Sequence, residues 1–131
     1  MTDASAPEAP RILLLAHGSR QPEWARPFEA VRASLRASRP GLSVELAYLE
    51  SMQPTLRQAL DDAGAAGCTQ LHLIPLFLGA GGHLQRDIPQ AVREARQRHP
   101  GLAVHIAPAA GDSPEIVAAL AGYALRWMER R

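Results

Sequence analysis

The chain has 131 residues, 47% of them hydrophobic, enough to build the core of one domain of ordinary size. Its formal charge is +1, and its fourteen basic residues are scattered along the chain rather than gathered into a basic face, which argues against nucleic acid as a partner. All fourteen are arginine, so Schiff-base chemistry and any phosphate loop built on a lysine are excluded.

The opening segment MTDASAPEAP has neither a charged n-region nor an apolar h-region, and no apolar run approaches the length of a membrane span. A cytoplasmic protein with no membrane partner is expected. Residues 1–10 read as a disordered tail, and residues 11–131 as a single domain without a linker. Cys68 is the only cysteine and reads as a small buried residue.

The hydrophobic pattern alternates between two periods. Arg11 to Ala16 (RILLLA) is a continuous apolar run bounded by Pro10 and Gly18, the signature of a strand covered on both faces. Trp24, Phe28, Val31 and Leu35 then form a helical stripe ending near Ser38. Leu42 to Leu49 reads as the second strand, and Pro54 opens a helix carrying Leu56, Ala59, Leu60 and Ala63 on one face. Thr69 to Phe77 is the third strand, followed by the GAGGH loop and a helix marked by Ile88, Ala91, Val92 and Ala95. Leu102 to Ala107 makes a fourth strand. The last helix is capped by Asp112 or Ser113, with Ile116, Leu120, Tyr123 and Trp127 as its inward stripe and Pro114 in its first turn. Both tryptophans therefore read as core. Strands joined by helical crossovers imply parallel pairing, and the expected fold is an α/β three-layer sandwich around a four-stranded parallel sheet.

In an open parallel sheet the functional crevice lies beyond the carboxyl ends of the strands. His17 follows the first strand directly, Glu50 follows the second, and His83 falls in the loop after the third, at even intervals along the chain. Two neutral imidazoles and a carboxylate suit a borderline divalent ion, and three protein ligands leave positions open for exchange. Gly79, Gly81 and Gly82 allow close approach of the backbone to a ligand, and the next helix offers its N–H groups to an anion. The other histidines read as structural: His72 as a core histidine, His99 at a helix C-terminus, His105 on a partly exposed edge. Asp87 reads as a cap of the third helix.

LLLAHGSR, AYLESMQPTL and IPLFLGAGGHLQRDIP, in that order, resemble the signature segments of the small CbiX/SirB-type chelatases, which insert a divalent metal into sirohydrochlorin. The resemblance covers about residues 11–110. It implies that His17 and His83 are the metal-binding and catalytic histidines, with Glu50 at the family's acidic position. It implies a divalent ion (cobalt, iron or nickel) as substrate, no organic cofactor, and a place in tetrapyrrole (cobalamin or sirohaem) biosynthesis. It also implies a homodimer, since short members resemble half of a two-lobed chelatase. Arg20, Arg86 and the amides at Gly81 and Gly82 are the expected receptors for the substrate's carboxylates. A non-catalytic metal carrier would use the same three side chains. A histidine-phosphatase reading lacks the arginine such enzymes place before the histidine, where this chain has Ala16.

Overall fold

The computed structural model describes residues 10–79 and 81–130. The expected tail at residues 1–10 lies, apart from Pro10, outside the described residues, as does Ala80 of the glycine-rich loop. The elements run β1 (Arg11–Ala16), α1 (Arg26–Ser38), β2 (Ser43–Tyr48), α2 (Leu56–Ala65), β3 (Gln70–Pro75), α3 (Gly82–Arg98), β4 (Ala103–Ile106) and α4 (Pro114–Glu129). Short 3-10 turns at Pro22–Ala25 and Ala110–Asp112 precede α1 and α4. The four strands form one parallel sheet in the order β2-β1-β3-β4, an α/β architecture as the pattern implied. The chain order reverses at β1, which sits between β2 and β3.

Alternation along β1 divides the core. Leu13 and Leu15 face α2 and α3, where they meet Leu60, Leu73, Ile88 and Val92. Leu14 and Ala16 face the other way, toward Val44, Leu46, Ala25 and the partly buried Phe28 and Leu35. Each buried leucine contributes about 1.5–3 kcal/mol of transfer free energy. The helix α2 begins with a reciprocal capping box, in which Thr55 Oγ1 accepts from the Gln58 N–H and Gln58 Oε1 accepts from the Thr55 N–H. Its expected face of Leu56, Ala59, Leu60 and Ala63 is buried throughout. Cys68 is buried in the same cluster.

Four expectations fail. Trp24 lies in the 3-10 turn before α1 and is 62% exposed, because the helix starts two residues later and its indole N–H is held by Gln21 instead. The stripe on α4 is apolar, yet none of that helix is buried and Trp127 is 56% exposed. Periodicity shows that a helix has an apolar face; it does not show that the same chain supplies a cover. His72 is half-buried rather than a core residue, since its face of the sheet is left open beyond α1. The glycine-rich segment is shorter than expected, because α3 begins at Gly82 although Pro89, a residue best accommodated in a first turn, lies inside it. That early start carries His83 onto the helix.

The lower ends of α2 and α3 are joined by polar contacts. Asp61 Oδ1 accepts from Arg98 Nε at 2.9 Å and from His99 Nε2 at 3.2 Å. The Arg98 hydrogen bond holds the Asp61 carboxyl below its ordinary value, with the nearby charge of Arg98 and the contact to His99 acting in the same direction against partial burial. A depressed carboxylate adds stability in full above its unfolded value of about 4, and the contribution is lost as pH falls through the lowered folded value. Replacing Asp61→Asn is therefore expected to lower the melting temperature by about 2–4 °C at pH 7. The difference between thermal scans of the two proteins should shrink as pH falls below about 4.

Candidate active site

The in-register pairing of β1 with β2 sets the site. Ala16 stands opposite Tyr48, and hydrogen bonding between the two segments continues past the strand ends: the Leu49 N–H donates to the Ala16 carbonyl and the Glu50 N–H to the His17 carbonyl, both at 3.1 Å. These bonds place two strand-exit side chains side by side, with His17 Nε2 3.9 Å from Glu50 Oε1. Gly18 makes this possible. It adopts φ +93°, a conformation that disfavours any side chain, and a Cβ there would run into the Glu50 carbonyl. Just beyond Glu50, Ser51 takes φ +63°, and the Met52 N–H returns to the Glu50 carbonyl at 2.7 Å.

The rim continues along the sheet. Phe77, two residues past β3, meets the His17 imidazole edge-on, with ring centroids 6.3 Å apart at 78°. Phe77 is held in place by the loop after β4, where the Gly111 N–H donates to its carbonyl at 2.8 Å. His17 and Glu50 are each 62% exposed, so both meet solvent directly.

His83 lies one residue inside the start of α3. Asp87, one turn along, places Oδ2 2.9 Å from His83 Nε2. A carboxylate accepts only, so Nε2 carries a proton, and in the neutral imidazole Nδ1 is the nitrogen with the lone pair. The contact replaces the capping role expected for Asp87, which sits too far into the helix to cap it. Gly81 is the N-cap and supplies no side-chain acceptor to the first turn. A Cβ at Gly81 or Gly82 would meet no protein atom within 4 Å, which leaves the backbone open to close approach.

Arg20 lines a cleft of about 340 Å³ with Ser19, Tyr48, Ser51 and Gln53, adjoining the His17–Glu50 pair. Burial, reinforced by the charge of Glu29, pushes the Tyr48 hydroxyl above its usual value, so it remains a protonated donor there. Arg86 lines a separate groove with His83, Asp87 and Arg93. The structure thus brings His17 and Glu50 together and pairs His83 with Asp87. Among the described residues, no three of the His, Cys, Asp and Glu side chains are close enough to hold one metal ion. Sequence reasoning gave Phe77 only as the end of a strand and Asp87 only as a cap, and missed their contacts with His17 and His83. The i, i+4 spacing of His83 and Asp87 would have revealed their contact once the start of α3 was known.

The family model of CbiX matches residues 11–124 of the chain. The chain belongs to the CbiX family. Its fold is that of a CbiX protein from Marinobacter aquaeolei VT8, with 30% identity and a TM-score of 0.80 over 93% of this chain and 99% of that one. It also matches the sirohydrochlorin chelatase SirB of Bacillus subtilis subspecies spizizenii, solved in complex with cobalt, at 24% identity and a TM-score of 0.76. That match covers 91% of this chain but 51% of SirB, so this CbiX chain corresponds in fold to one half of the larger protein. A sirohydrochlorin cobaltochelatase of Methanococcoides burtonii is 30% identical over 82 residues, and one from Saccharolobus islandicus strain L.S.2.15 is 37% identical over 79. The matched region spans 63% and 60% of those relatives' lengths.

The tie at Gly18 gives a direct test. Gly18→Ala is expected to lower unfolding free energy by about 1–3 kcal/mol. Chemical denaturation should show that loss, while the His17 imidazole NMR signals shift because the loop at Glu50 is displaced.

Proposed function

We propose that this CbiX-family chain is a sirohydrochlorin chelatase, inserting a divalent cobalt, iron or nickel ion into the tetrapyrrole. The observation that carries this reading is the His17–Glu50 pair at 3.9 Å on the carboxyl rim of a parallel sheet, within a chain matched by the CbiX model over most of its length. Insertion must remove two pyrrole N–H protons while the ion exchanges its ligands for macrocycle nitrogens. The rim supplies both requirements. His17 and His83 offer imidazole lone pairs to the incoming ion, which is the reaction's substrate. Glu50 receives a proton from the neighbouring imidazole or the macrocycle and passes it to solvent, to which it is open. Asp87 fixes the tautomer of His83, so that Nδ1 is the nitrogen available for ion or proton. The ring system's carboxylates are received by Arg20, Arg86 and the uncapped N–H groups around Gly81 and Gly82. No organic cofactor is required. Residues 11–131 constitute one such catalytic unit, acting in the cytoplasm in the cobalamin or sirohaem branch of tetrapyrrole synthesis.

The working form is a homodimer. A fold equivalent to half of SirB supports this, as does α4, whose Ile116, Leu120, Tyr123 and Trp127 face solvent in the single chain. A second copy covers that stripe. A flat macrocycle then lies in a cleft framed by two subunits.

Mixing the protein with sirohydrochlorin and Co²⁺ should change the macrocycle absorbance faster than the spontaneous reaction. His17→Ala and His83→Ala should each reduce that turnover by about 10²–10⁴-fold. Stoichiometric metal binding without turnover would instead identify a metal carrier. Leu120→Asp with Tyr123→Asp is expected to halve the mass measured by sedimentation equilibrium; a wild-type chain already sedimenting as a monomer overturns the dimer.

A further inference from the structure

The face of the sheet that α1 leaves open, over β3 and β4, carries three metal-capable donors in one place. Gln70 and His72 are two residues apart on β3 and therefore point to the same face, while the intervening Leu71 is buried on the other. His105 on β4 is the in-register partner of His72. The two imidazoles stack, with centroids 5.0 Å apart and planes at 26°. His105 Nε2 lies 2.6 Å from Gln70 Oε1. An amide oxygen only accepts, so Nε2 of His105 is protonated, and in the neutral imidazole Nδ1 bears the lone pair. Among the described residues neither ring nitrogen of His72 has a hydrogen-bond partner, although the residue is half-buried. None of the three belongs to the rim at His17, and none is used by the proposed reaction.

We propose that His72, His105 and the Gln70 side-chain oxygen form a second site for a divalent transition-metal ion. Rings 5.0 Å apart need only side-chain rotation to turn one nitrogen each toward a shared cation at about 2.1 Å. Two imidazoles select ions of the nickel, copper, cobalt and zinc class over magnesium and calcium, which prefer oxygen. Solvent fills the remaining positions, since His105 is exposed, and the bound ion exchanges readily. Gln70 holds the tautomer of His105 in the free protein. The site stands on this geometry alone and does not depend on chelatase activity.

The test is a Ni²⁺ titration by calorimetry on the full chain carrying His17→Ala and His83→Ala, which removes the rim histidines. One equivalent of Ni²⁺ should still bind, with Mg²⁺ failing to compete. Adding His72→Ala and His105→Ala should abolish that binding, and Gln70→Ala alone should weaken it about tenfold. In the wild-type chain, substoichiometric Ni²⁺ should broaden the imidazole NMR signals of His72 and His105 together, a readout that needs no variant to fold. Absence of binding to the rim-deficient chain overturns the proposal, as does binding undiminished by removal of the pair, or imidazole signals left sharp. Failure of turnover with sirohydrochlorin would overturn the functional reading while leaving this site intact.

Discussion

The site depends on one pair of backbone hydrogen bonds. The parallel ladder between β1 and β2 does not stop where the strands do, and its last two steps, to the carbonyls of Ala16 and His17, set the separation of His17 and Glu50. Neither side chain is buried, and a 3.9 Å contact between solvated groups contributes little stability of its own. The pair is therefore positioned by the sheet rather than by mutual attraction. Gly18 is the condition for this arrangement, because any side chain at that position collides with the Glu50 backbone.

Around this frame the molecule is unevenly finished. The face bearing α2 and α3 is closed by a continuous core from Leu13 to Leu102, and the opposite face is closed by α1 only where it meets β1 and β2. The terminal helix α4 packs on the short turn before it and leaves its apolar stripe to solvent. Such a stripe is costly to expose, and it is this stripe that a second copy covers in the homodimer proposed above. β4, four residues long, lies at the sheet's edge beside the open face.

Much of this was legible in the sequence. The α2 stripe was read residue by residue, since a capped helix lying flat on a sheet obeys the 3.6-residue period without interference. The strand exits at His17 and Glu50 followed from apolar runs ending in polar residues. Three features were not legible, for different reasons. The start of α3 was hidden by glycines and by Pro89, which weaken every local signal of a helix, and with it the contact of His83 with Asp87 was hidden too. The cover for α4 was hidden because periodicity describes one surface, while burial requires two. The in-register meeting of His72 and His105 depended on strand order, which no local pattern specifies.

The Asp61 cluster clamps α2 to the end of α3, and the His17–Glu50 rim occupies the carboxyl ends of the strands. The clamp and the rim thus draw on separate sets of residues. Outside Gly18, the exposed rim can accumulate substitutions without loosening the body of the protein, which gives this small scaffold latitude to diversify.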